Sequence, residues 1–163
     1  MNIISKRFGK VAFEESAVIS FPHGIIGFPE AKRYVLLGQG DSNIIGWLQS
    51  VDAPEVALPV ASAHAFPTSY PDVPLTDALL AAGMDAPSGD VAVLAVVIAT
   101  PTEQATVNLL APIVIDANSR QGAQIILQGS RFSTRELLVF RADLQPEPQS
   151  QDSNTRMRSA ADA

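Results

Sequence analysis

The sequence predicts an all-β fold with a minor α component: an antiparallel β pseudobarrel, or barrel-like meander, carrying one short helix. Three observations lead there. About eight or nine apolar segments have strand length. Clusters of Gly, Pro, Asn and Asp separate them at close intervals. Only one stretch carries helical caps, and such a pattern of elements is met by a barrel or sandwich.

Three short apolar segments, at residues 2–5, 10–13 and 17–21, open the chain as a meander, divided by Gly9 and by Glu14–Glu15. FPHGIIGFPE (21–30) then packs Pro22, Gly24, Gly27 and Pro29 into eight residues, which forces a shaped loop. Its Ile25, Ile26 and Phe28 must be buried or bound somewhere. Residues 34–37 and 44–51 read as strands around the turn-rich GQGDSN (38–43). Residues 56–61 read as another, with Pro59 marking an edge or bulge because proline cannot donate to a ladder. The helix is TDALLAAG, capped by Thr76, favoured at its first turn by Asp77 and ended by Gly83. Residues 91–99, rich in Val and Ile, read as the central buried strand. Two strands are expected within 106–116 and one at 123–128, after a turn at 118–122. Residues 133–141 suit a strand or a short helix equally. From Gln145 onward large apolar side chains nearly vanish, so a single domain over 1–144 and a disordered tail over 145–163 are expected.

Composition narrows the function. The chain of 163 residues carries a net charge of −6 and no cysteine, which removes disulfides and thiolate metal sites. No Lys or Arg occurs between Tyr34 and Ser119, where nine carboxylates lie: Asp41, Asp52, Glu55, Asp72, Asp77, Asp85, Asp90, Glu103 and Asp116. That block either keeps the surface solvated or steers a basic partner. It opposes binding along a phosphate backbone. The longest uncharged aliphatic run, 91–99, is far below the ~20 residues of a membrane span, and the N-terminus lacks the apolar core of a secretory leader. A cytoplasmic protein without membrane contact is expected.

The signatures of catalysis are missing together. His23 and His64 have no HxxxH or HExxH neighbour, no serine sits in GxSxG, and Gly38-Gln39-Gly40 lacks a third glycine and a following helix. No enzyme, cofactor or metal is expected. A small β-barrel nucleic-acid-binding module is the alternative class, but no basic residues interleave Trp47, Phe66 or Tyr70. An interaction module remains, and TVNLLAPIVID (106–116) is its best candidate. By strand parity Val107, Leu109, Ala111, Ile113 and Ile115 share an apolar core face. The other face holds Thr106, Asn108, Leu110, Pro112, Val114 and Asp116. Pro112 places the segment at an edge, bulge or corner. The outward Leu110–Pro112–Val114 stripe needs a cover, either the chain's own helix or loop, or a partner.

TVNLLAPIVID, with FPHGIIGFPE, WLQSVDAPEVALPV (47–60), GAQIIL (122–127) and RFSTRELL (131–138), resembles the bacterial flagellar assembly factor FliW family over roughly residues 2–138. The resemblance implies a β pseudobarrel without catalytic activity and two mutually exclusive partners. One is flagellin, held before export. The other is CsrA, a small basic RNA-binding regulator that represses flagellin translation and is sequestered once flagellin leaves. Contact with nucleic acid itself is not implied. Outward parity in the matched motifs nominates Gln49, Asn108, Leu110, Pro112, Val114 and Asp116 as partner-binding residues. For Gln49, which alternates with Leu48 and Ser50, capping of a loop backbone is the competing role. Two departures from the family pattern stand out: Asp116 where Asn is frequent, and Leu58–Pro59 where an aromatic-containing strand is common.

Overall fold

The computed structural model describes residues 1–38, 45–66, 79–80, 83–84 and 90–139. Most of the GQGDSN turn, the Thr76 cap and the tail at 145–163 lie outside them. Eleven strands occur among the described residues: β1 (Asn2–Ser5), β2 (Gly9–Ala12), β3 (Ile19–Ser20), β4 (Arg33–Leu37), β5 (Ile45–Ser50), β6 (Ala57–Ser62), β7 (Val91–Ile98), β8 (Thr106–Val107), β9 (Ile113–Asp116), β10 (Gln121–Gln124) and β11 (Glu136–Leu137). The segment around 133–141, open between helix and strand, thus contributes the short β11. The turn expected at 118–122 is tighter. β10 pairs Gln121 with Asp116, so only residues 117–120 connect the two strands.

Seven strands close a barrel in the order β7-β6-β5-β4-β3-β10-β9 and back to β7. Every joint is antiparallel except β10–β3, a parallel contact made through Gln121 and Ser20. That joint stitches segments about a hundred residues apart. Arg120 reinforces it: its carbonyl accepts Ser20 N–H at 2.9 Å, and its Nη2 donates to Ala17 O at 2.7 Å. Arg120 also adopts φ +55°, the left-handed turn conformation.

The barrel interior holds Ile19, Phe21, Ile25, Tyr34, Leu48, Val60, Leu94, Ile113 and Ile115. Phe21 and Tyr34 meet edge to face at 5.3 Å. Gly122 on β10 makes room for them: a Cβ there would stand 2.5 Å from the Phe21 ring. Close backbone approach to an aromatic ring is the reason for glycine at this strand position.

The outer face of the barrel wall is buried as well. Val93, Ala95 and Val97 of β7 pack with Ala61, Phe66, Val107 and Leu109, and Phe132 and Leu138 lie against them. Val114 and Ala123 pack under Leu79 and Met84. This double burial explains why β7 reads VAVLAVVI without polar alternation. Leu79 and Leu80 are helical, and the end of that helix follows the sequence expectation. Gly83 adopts φ +80°. Its N–H bonds Leu80 O at 3.0 Å, and Met84 N–H bonds Leu79 O at 2.9 Å, a Schellman ending.

Candidate functional site

The interruption in TVNLLAPIVID is an insertion along β7. Val107 faces Val97 and Ile113 faces Leu94. Between those pairs β7 advances three residues (97 to 94) while the facing segment advances six (107 to 113), so three residues are extra. An odd insertion reverses the face that each later side chain takes. Val107 therefore joins the outer layer whereas Ile113 enters the barrel. Simple parity through the motif fails here.

The insertion is rigidly held. Asn108 N–H bonds Val96 O at 2.9 Å, and Asn108 Oδ1 accepts Ala111 N–H at 3.0 Å, closing the turn. Leu109 and Leu110 N–H both donate to Ser133 O, at 3.1 and 3.2 Å. Leu110 O accepts Leu127 N–H at 2.8 Å and Pro112 O accepts Ile125 N–H at 3.0 Å. Gln124 then ties the turn to the FPHGIIGFPE loop: its Nε2 donates to Ala111 O at 3.0 Å, and its Oε1 accepts Ile26 N–H at 2.8 Å.

The six nominated residues divide sharply. Val114 is fully buried under Leu79 and Met84, Pro112 is buried, and Asp116 is 5% exposed. The outward stripe is thus corrected: the chain's own helix covers Val114, because the barrel wall carries a second apolar layer. Asp116 serves the β9–β10 turn, accepting Asn118 N–H on Oδ1 at 3.1 Å and Arg120 N–H on its carbonyl at 2.9 Å. Gln49 faces outward as parity requires, yet the β1–β2 hairpin covers it completely. Its Oε1 accepts Ser5 Oγ–H at 2.7 Å, and its Nε2 donates to the carbonyls of Ser50, Pro54 and Val56. This is the loop-capping role. Only Asn108 and Leu110 remain partly accessible.

One of the exposed apolar regions among the described residues lies beside the insertion. A cleft of about 340 Å³ is lined by His23, Gly24, Ile25, Ile26, Ala123 and Gln124. Its shape depends on Gly24, where φ is +68° and a Cβ would stand 2.8 Å from the Phe28 and Pro29 backbone. Ile25 is buried and Phe28 packs on the core, but Ile26 is 61% exposed. Ile126, two residues beyond Gln124, is 55% exposed, and Leu80 is also exposed. The helix end adjoins this region, since a Cβ on Gly83 would lie 3.7 Å from His23 Nε2. Ile126 and Leu80 were not singled out from sequence, whereas Ile26 was read only as a group that must be buried or bound. The one signal available was the apolar content of a loop dense in Gly and Pro.

Among the described residues no cluster of three metal-ligating side chains exists, and no helix is long and apolar enough to cross a membrane. Tyr34 is pushed up to about 12 by burial and, secondarily, by the Asp52 carboxylate. Asp52 itself is raised by burial but held lower on balance by N–H bonds from Lys32 and Arg33 and by the Arg33 guanidinium at 2.7 Å. Both shifts follow from structural packing at the β4 start.

The architecture has solved counterparts. A crystal structure of the flagellar assembly factor FliW superposes with a TM-score of 0.72 at 28% identity, covering 91% of this chain and 100% of that one. The flagellar assembly factor FliW of Geobacter sulfurreducens is 37% identical over 137 residues, 83% of this chain and 84% of that protein. The FliW of Lachnoclostridium phytofermentans is 32% identical over 135 residues, 81% and 86% of the two chains. The FliW protein family matches residues 2–138, a span that takes in the barrel, the NLLAP insertion and the outer layer that covers it. With the closed seven-strand barrel in agreement, the chain belongs to the FliW family of flagellar assembly factors.

Proposed function

We propose that this protein is a non-catalytic binding factor of the cytoplasm that holds flagellin before export. In exchange it binds CsrA, relieving CsrA repression of flagellin mRNA. Family membership supports the flagellar role. The observation that carries the binding reading is the cleft beside the NLLAP insertion, where Ile26 stands exposed on a backbone fixed by Gln124, with Ile126 exposed two residues beyond. Exposed aliphatic groups on a rigid frame are suited to a partner's apolar helix face, because little ordering entropy is lost on contact. Asn108 and Leu110 are retained as contributors. Gln49, Pro112, Val114 and Asp116 act by shaping the surface, being interior.

Two terms govern the exchange. Mass action sets which partner is bound as the flagellin concentration falls. Charge sets the encounter rate with a basic regulator: of the nine carboxylates between Tyr34 and Ser119, Glu55, Asp90 and Glu103 are exposed, whereas Asp52 is ion-paired and Asp116 is buried. Raising salt should slow CsrA association accordingly.

Ile26→Asp tests the reading, because the side chain is exposed and the fold should survive. Pull-downs with purified flagellin should lose binding by about tenfold or more, as for an interface anchor. Undiminished capture by a folded Ile26→Asp protein would exclude the cleft as the contact surface.

A further inference from the structure

The N-terminal hairpin carries a second surface that the assembly role just described does not use. Lys6, Arg7 and Lys10 are all exposed on or beside the β1–β2 turn. Among the described residues none of the three lies within ion-pair distance of a carboxylate; the ion pair there is Arg33–Asp52. In a chain of net charge −6 this is a local reversal of sign. The turn also approaches the chain's sole tryptophan, forty residues away in sequence. The Arg7 guanidinium sits 4.1 Å from the centroid of the Trp47 ring, and Phe8 meets that ring edge to face at 5.5 Å. Ile4 and Phe8 are exposed on the hairpin, and Ile45 is exposed on β5 two residues before Trp47. A groove of about 360 Å³ runs between Lys6, Arg7, Glu55 and Ala57.

The hairpin is fixed in place. Arg7 and Phe8 N–H donate to Ser5 Oγ at 3.1 and 3.0 Å, and Ser5 Oγ donates to the buried Gln49 Oε1 at 2.7 Å. Lys6 N–H bonds Pro54 O at 3.1 Å. A chain of hydrogen bonds anchored in the barrel wall therefore fixes the backbone that carries the cations, and Trp47 holds the Arg7 guanidinium. A backbone held this way loses less freedom on binding than a loose arm.

We propose that the Lys6–Lys10 hairpin, with Trp47 and Phe8 behind it, is a docking surface for an acidic polypeptide segment bearing an aromatic or aliphatic side chain. The charges select carboxylates and the exposed Ile4, Phe8 and Ile45 select the apolar group. Nucleic acid fits less well, because Arg7 already occupies the face of Trp47 on which a base would stack.

Trp47 is the sole tryptophan, so its fluorescence reports on the patch without a label. The full chain would be titrated with a ten-residue Glu/Asp peptide containing one Phe, with a Lys peptide of the same length, and with a single-stranded RNA oligonucleotide. The acidic peptide should give a saturable change in emission that the Lys peptide lacks. Its affinity should fall about tenfold in Lys6→Glu/Lys10→Glu, which leaves Trp47 and Arg7 intact, and fall again on raising salt. Lys6→Ala should show a smaller loss in the same direction. No saturable change, equal affinity in the charge-reversed variant, or tighter binding of the RNA would each overturn the proposal. Retention of flagellin by the charge-reversed variant separates this surface from the cleft at Ile26.

Discussion

The Tyr34 hydroxyl is buried and has no hydrogen-bond partner among the described residues. An unsatisfied buried hydroxyl costs folding free energy, whereas the ring beside it contributes packing against Phe21. Tyr34→Phe should therefore leave stability unchanged or raise it by about 1 kcal/mol. Chemical denaturation of the two proteins decides this, and a clear loss would reveal a partner for the hydroxyl. Val114 makes the opposite case. It is an interior residue of the outer layer, packed under Leu79 and Met84. Val114→Asp places an unpaired charge there and should cost about 3–5 kcal/mol, visible as a large fall in Tm. A folded Val114→Asp protein that merely loses a partner would restore the outward stripe. Gln49 shows why single positions were hard to assign. Its outward direction was legible from alternation, but the hairpin that covers it was not, because that contact joins positions 5 and 49.

Among the elements, most strands of the barrel wall were legible because they carry an apolar run bounded by turn residues, whereas β10, which reads QGAQ, starts two residues before the strand expected at 123–128 and ends at 124. β4, β5, β6 and β7 fall within a residue or so of their expected limits, and Gly83 ends the helix as read. The candidate site was less legible. Its Asn and Pro signalled an interruption within 106–116, yet the number of inserted residues is fixed by what β7 offers as partners, and that number decides the faces. Double burial of the wall removed the polar alternation that would have corrected the parity. The β4 start gives a pH-dependent test of element packing. Asp52 accepts N–H bonds from Lys32 and Arg33 and pairs with the Arg33 guanidinium, so its folded pKa is lowered. Its contribution is fully present above the ordinary carboxylate pKa and is lost as pH falls through the lowered folded value. Asp52→Asn should flatten the acid limb of the stability curve, while neutral-pH stability falls by about 1 kcal/mol or less because the pair is partly exposed. An acid limb unchanged in the variant would show that other carboxylates carry it.

For the whole molecule, a closed barrel wrapped by a partial outer layer leaves few faces free. Most of the strong sequence motif is consumed in building that wall, so the proposed contacts fall on groups that protrude: Ile26 at the cleft, Ile126 beyond Gln124, and the basic hairpin. On the function proposed above the protein acts by occupancy, and the central claim is exclusion of one partner by the other. The direct measurement is competition in solution, with labelled CsrA bound to the full chain and flagellin titrated in. Flagellin should displace CsrA, or weaken its affinity at least tenfold, along a curve that saturates with flagellin occupancy. A ternary complex in which CsrA affinity is unchanged at saturating flagellin would contradict the account.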